Sequence, residues 1–116
     1  MSRVAMVVRK PSLRRAYRRG RALEYVVKAD LERRGGFVMR SAGSHSPADL
    51  LWLSRDFISP RAVQCKLEGA ELGPKARREY SVWCHRYGLV ALLATKVRGG
   101  FRIERVLEDG ALVELS

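Results

Sequence analysis

The sequence predicts an α/β domain in which helices flank one mixed β-sheet. Three observations carry that expectation. Apolar residues recur at helical spacing in an early segment (Leu23, Val26, Val27, Leu31) and again in a later one (Ala76, Tyr80, Trp83, Cys84, Tyr87). Short runs rich in strand formers lie between and after these segments. The run Leu89–Thr95 is continuously apolar, as a strand covered on both faces must be. At 116 residues the chain is long enough for one core and too short for two.

The elements follow in order. Residues 1–16 read as a basic, weakly ordered arm, with Pro11 and Ser12 as punctuation, leaving 17–116 as the single domain. A helix is expected over about 17–34, stopped by Gly35-Gly36. Phe37–Arg40 is a short strand, Ser41–Pro47 a loop, Asp49–Leu53 a second strand and Ser54–Pro60 a turn. In the third strand, Arg61–Leu67, Val63, Cys65 and Leu67 face one way while Gln64 and Lys66 face the other. Leu72–Tyr87 reads as the second helix, with Pro74 near its start and Gly88 just past its end. Leu89–Thr95, Phe101–Leu107 and Ala111–Leu115 are strands separated by Gly99-Gly100 and by the hairpin signal Asp109-Gly110. The order α-β-β-β-α-β-β-β suits a sheet with helices packed on it.

Charge narrows the function. There are 23 Lys+Arg against 12 Asp+Glu, a formal net charge of +11. Residues 1–40 hold twelve basic and three acidic residues, so most of the excess is concentrated there. Seven basic residues fall within 9–21 with no acid among them: Arg9, Lys10, Arg14, Arg15, Arg18, Arg19 and Arg21. Such a run neutralises backbone phosphates and positions nucleic acid without reading its sequence. Tyr17 either stacks or packs, and Lys75, Arg77 and Arg78 form either a second patch or a solvated face. The apolar stretch Val4–Val8 is too short for a signal peptide, and no run is long enough to span a bilayer. Cys65 and Cys84 lie outside any CxxC pattern and are expected as reduced core residues of a cytoplasmic protein, prokaryotic or viral.

Chemistry concentrates on the second and third strands. If they pair as a hairpin, Asp49, Gln64 and Lys66 converge at one edge of the sheet. A carboxylate with a second oxygen donor suits a hard divalent ion such as Mg²⁺, and a lysine beside it can neutralise charge building on a phosphate. This spacing is common by chance. Glu24 lies beside the apolar stripe of the first helix, where it can face Asp49. Taken alone, it reads better as an i,i+4 partner of Lys28.

The strings Arg21-Ala-Leu-Glu24, Gly36-Phe-Val-Met-Arg-Ser-Ala-Gly-Ser-His-Ser-Pro-Ala-Asp49-Leu and Gln64-Cys-Lys66 resemble the archaeal-type Holliday-junction resolvases of the PD-(D/E)xK nuclease superfamily. The match covers roughly residues 18–67. It implies a restriction-endonuclease-like core, making 17–116 a nuclease domain. It also implies a homodimer whose two metal-dependent sites nick opposed strands of a four-way DNA junction. Carried across, Glu24 and Asp49 would be metal ligands and Lys66 the catalytic lysine. Arg40 would contact the scissile phosphate and Ser44 would position it; Ser41 and Ser46 are weaker matches. His45 falls outside the pattern.

One position departs. The family has Glu where this chain has Gln64, whose amide oxygen can still ligate a cation or orient water but carries no charge. The expected cofactor is therefore Mg²⁺, with Mn²⁺ or a high metal concentration favoured. Two other readings stand beside junction resolution: a related nuclease acting on flaps or ends, and a basic DNA-binding module with a degraded site. Dimer contacts are sought on the second helix (Tyr80, Trp83, Tyr87) and on Leu89–Leu93, Phe101 and Ile103.

Overall fold

The structure is a computed structural model; it describes residues 2–41 and 46–115, with side chains from residue 14 onward within the first helix. Helix α1 (Ser2–Arg33) is followed by β1 (Phe37–Arg40), β2 (Leu50–Leu53) and β3 (Arg61–Lys66). Helix α2 (Pro74–Arg86) then leads to β4 (Val90–Val97), β5 (Gly100–Val106) and β6 (Leu112–Glu114). The six strands form one sheet in chain order. Pairing is antiparallel throughout except between β3 and β4, which run parallel because α2 provides the crossover. The mixed sheet and flanking helices are the architecture expected from the sequence.

The first helix differs from expectation. Its backbone is helical back to Ser2, so the segment anticipated as an arm, 1–16, is continuous with the domain's helix from that point. Pro11 supplies no amide donor, but the Leu-, Arg- and Ala-rich stretch that follows has high helix propensity and outweighs that break. Among the described residues the helix meets the core through Leu23, Val27 and Leu31, spaced i, i+4, i+8. Each buried side chain of this size contributes about 1.5–3 kcal/mol. Val26, counted with them from periodicity, is exposed.

The sheet separates two cores. On one face Leu23, Val27 and Leu31 pack against Val38, Leu50, Trp52, Val63, Leu92, Ala94 and Ile103. On the other, Tyr80 and Cys84 of α2 pack against Ala48, Ala62, Ala91, Leu93 and Val106. Strand β4 feeds both, which explains its uninterrupted apolar character. The Tyr80 hydroxyl donates to the Leu92 carbonyl at 2.8 Å, satisfying a buried polar group at the centre of the second core. Cys84 is fully buried and Cys65 half-buried, and both are free thiols.

The turn from α1 into β1 is tightly constrained. Trp52 Nε1–H donates to the Gly35 carbonyl at 3.0 Å, and Gly36 has φ +102°. A Cβ on Gly36 would collide with the Leu53 carbonyl, whereas one on Gly35 (φ +105°) would meet nothing within 4 Å. Gly36→Ala is expected to cost about 2–4 kcal/mol, combining backbone strain with overpacking, and Gly35→Ala about 1–3 kcal/mol from strain alone. Urea unfolding of the two variants checks the ranking; equal losses would mean that the Leu53 contact contributes nothing.

Candidate active site

Asp49 sits where β1, β2 and β3 come together. Its carbonyl accepts from the Ser41 amide at 2.8 Å and its amide donates to the Val63 carbonyl at 2.9 Å. Its Oδ2 accepts from the Cys65 amide at 2.7 Å. The antiparallel β2–β3 register, with Leu50 opposite Val63, carries Asp49 to the level of Gln64 and Cys65. The hairpin required by the sequence reading therefore forms, although Asp49 precedes the strand it was expected to open.

Glu24 reaches the same place from α1. The Nε and an Nη atom of Arg40 both lie 3.0 Å from Glu24 Oε1, and both side chains are largely buried. This replaces the local pairing expected for Glu24, because Lys28 instead bonds Glu32 at 3.0 Å. Tyr25 closes the other side of Arg40, whose guanidinium lies 5.0 Å from the ring centroid. Arg21, and then Arg40, hold the exposed Tyr25 hydroxyl below its ordinary pKa. Tyr25 was missed from the sequence; the only available signal was its i,i+4 spacing from Arg21.

The electrostatics define one cluster. Burial raises the Asp49 pKa above the usual aspartate value; the Cys65 amide opposes this, Glu24 reinforces it, and Lys66 and Arg40 oppose it. Two acids and two bases thus act on one another across α1, β1, the β2 entry and β3. Burial, then Asp49 and Glu24, push the Cys65 thiol far up, so it is no nucleophile here. Lys66 also lines a small cleft on the α2 side of the sheet with Thr95, Arg102 and Glu104.

Gln64 Oε1 is buried and has no hydrogen-bond partner among the described residues. A buried carbonyl oxygen in that condition requires a donor or a cation. Like the Glu24 and Asp49 carboxylates it is an oxygen donor, the type Mg²⁺ and Mn²⁺ take, so the chemistry of these three residues suits a hard divalent ion. No group of three His, Cys, Asp or Glu side chains suited to a metal occurs among the described residues.

The other expected site residues divide. Ser44 and His45 lie outside the described residues, as do the side chains of Arg9 and Lys10. Ser46 is committed to the Ala48 carbonyl at 3.1 Å, and Ser41 is exposed. Arg14, Arg15, Arg18 and Arg19 are exposed and line a shared groove on α1. Arg21 lies against Tyr25 and over Tyr17. Arg77 is taken out of the suggested second basic patch by bonds to the Gly110 and Leu72 carbonyls at 2.7 and 2.9 Å.

The solved structure of Archaeoglobus fulgidus Hjc, a Holliday junction resolvase from an archaeal hyperthermophile, is similar to this chain. The TM-score is 0.58 at 21% sequence identity, over 72% of this chain and 74% of that one. The likeness is one of fold. No protein-family model matches the sequence, and no curated protein matches it significantly. No helix among the described residues is long and apolar enough to cross a membrane.

Because burial holds Asp49 toward its protonated form, that form stabilises the fold at low pH, and the stabilisation is lost as pH rises through the raised pKa. Asp49→Asn, which keeps the acceptor for Cys65, is therefore expected to raise Tm at pH 7. The gain should shrink toward zero as pH falls below the usual aspartate range. Thermal melts across pH in chelator measure this; a gain that does not change with pH would contradict the assignment.

Proposed function

We propose that this chain is a divalent-metal-dependent endonuclease that cuts branched DNA, with the four-way junction as substrate. The observation that carries the reading is the convergence of Glu24, Arg40, Asp49 and Lys66 from four separate elements, on a fold shared with a Holliday junction resolvase. Glu24, Asp49 and Gln64 would hold Mg²⁺ or Mn²⁺, which when bound supplies Lewis-acid polarisation and an activated water. Lys66 stabilises negative charge developing on the phosphate, and Arg40 binds the phosphate itself. The arginines of α1 take the flanking backbone, so the DNA is held by shape and charge rather than by base identity.

The test is strand nicking of a synthetic four-way junction under Mg²⁺ and under Mn²⁺, with linear duplex and a flap as comparators. Asp49→Ala is expected to lower cutting on the order of a thousandfold, corresponding to loss of several kcal/mol of metal-supplied stabilisation. Junction affinity should change by less than about tenfold, since phosphate contacts elsewhere supply it. Gln64→Glu should lower the metal concentration needed for half-maximal rate. Cutting that favours flaps would redirect the reading to a related nuclease. Binding without nicking under either metal would leave a DNA-binding module and sink the enzyme.

Two opposed strands require two sites, and this cluster supplies one per chain, so the working form is proposed to be a homodimer. Helix α2 packs on β4 and β5, leaving the same face of β1 and β2 without a helix over it. There Phe37 pairs across the strands with Leu53 and Met39 with Leu51; Phe37 and Met39 are exposed. Met39, Leu51, Trp83 and Leu89 line a groove of about 280 Å³ beside Arg40. Of the contacts sought from sequence, Tyr80, Ala91, Leu92, Leu93 and Ile103 are core residues and Val90 and Phe101 pack against the core, so they leave the interface; Trp83, Tyr87 and Leu89 remain. Met39→Glu is expected to convert the dimer to monomer in sedimentation equilibrium and to uncouple the paired nicks. A wild-type chain that is monomeric at the concentration where it cuts would exclude this arrangement.

A further inference from the structure

Arg40 and Glu24 have separate tasks in the proposed reaction, yet in this structure each occupies the other. Both contacting nitrogens of Arg40 converge on one oxygen, Glu24 Oε1, at 3.0 Å. The pair is largely shielded, with 28% of the Arg40 side chain and 19% of the Glu24 side chain exposed. Tyr25 braces the guanidinium from outside at 5.0 Å, and Arg40 ends β1, immediately before the loop that leads to Asp49. An arginine held this way cannot present its full fork to a phosphate, and a carboxylate held this way is a weakened cation ligand.

We propose that the Arg40–Glu24 pair is a latch linking substrate to metal: a phosphodiester draws Arg40 away from Glu24, and the released, poorly solvated carboxylate then takes the divalent cation. This rests on the nuclease reading above. Neither partner can be left alone at low cost in this setting, since an unpaired half-buried charge is strongly disfavoured. Phosphate and cation therefore bind together more readily than either binds singly, and by linkage each raises the other's affinity by the same factor. Cation capture would then be favoured on DNA and restrained off it. Tyr25 is a positioning residue in this scheme: its ring offers Arg40 a resting face while the guanidinium exchanges partners.

Two double-mutant cycles on the full-length chain test the latch without using activity. The first measures Mn²⁺ binding by electron paramagnetic resonance for wild type, Arg40→Gln, Glu24→Gln and the double variant. Arg40→Gln is expected to tighten Mn²⁺ on the order of fivefold or more when Glu24 is present and to change it little when residue 24 is Gln. The second measures affinity for a four-way junction in chelator, where cutting cannot occur. Glu24→Gln should tighten the junction by a similar factor when Arg40 is present and much less when it is replaced. Equal effects in both backgrounds would reduce Arg40 to a general positive charge and overturn the latch, as would weaker Mn²⁺ binding in Arg40→Gln. Tyr25→Leu should shift both affinities in the direction of a loosened latch without altering Tm by more than a surface substitution does; no change in either affinity removes Tyr25 from the scheme. Failure of the underlying reading has a different signature: Mn²⁺ binding absent from every variant, or unaffected by Asp49→Ala, overturns the metal site itself and the latch with it.

Discussion

The short bond from the Cys65 amide to the Asp49 carboxylate is the constraint on which the rest of the site depends. It makes an acidic side chain act as an extension of the sheet, accepting a hydrogen bond from the backbone of the neighbouring strand. Because the Asp49 main chain is also tied to Ser41 and Val63, the ends of β1, β2 and β3 are fastened at a single residue. The cost is desolvation, expressed as the raised pKa, and the gain is a carboxylate with little freedom to turn. If a cation binds as proposed, a carboxylate fixed in this way avoids the entropy of ordering a mobile side chain.

Everything else in the cluster is placed relative to that anchor. Helix α1 is fixed over the sheet by Leu23, Val27 and Leu31, and Glu24 follows directly after the first of these. Its position at the core's edge is therefore set by packing, and its ionisation is felt at Asp49. Arg40 is delivered by β1, where it pairs with Leu50 and directly precedes Ser41, whose amide is bonded to Asp49. The same helix carries Arg14, Arg15, Arg18 and Arg19, all exposed, ahead of the residues that pack on the core. One element thus carries both the acid proposed for the active site and the basic surface proposed to hold DNA.

The sequence was most readable where structure is local. Hairpin turns, the stop at Gly35-Gly36 and the doubly covered β4 follow from signals a few residues long, and the predicted boundaries are close to those found. It was least readable where a choice depended on a distant partner. Lys28 lies four residues from Glu24, yet pairs with Glu32, while Arg40, sixteen positions on, takes Glu24. Periodicity likewise assigned Tyr80, Leu92 and Ile103 to no particular side of the sheet, and the structure gives them the core role that was the more expected one. Only the placement of α2 over β4 and β5 shows that the uncovered apolar face belongs to β1 and β2. The Tyr25 brace was invisible for the same reason, since nothing along the chain links it to Arg40.

Charge balance gives Gln64 a physical sense beyond that of a lost carboxylate. Within the cluster two acids, Glu24 and Asp49, are set against two bases, Arg40 and Lys66, so acidic and basic groups are equal in number. A glutamate at position 64 would add a third partly buried anion, raising the pKa values of its neighbours and penalising the fold unless a cation were bound. The amide avoids that repulsion and keeps an oxygen available, Oε1, which finds no donor among the described residues. In the proposed reaction a divalent ion would therefore compete with Arg40 for Glu24. Its affinity would be governed as much by what occupies Arg40 as by the ligands themselves.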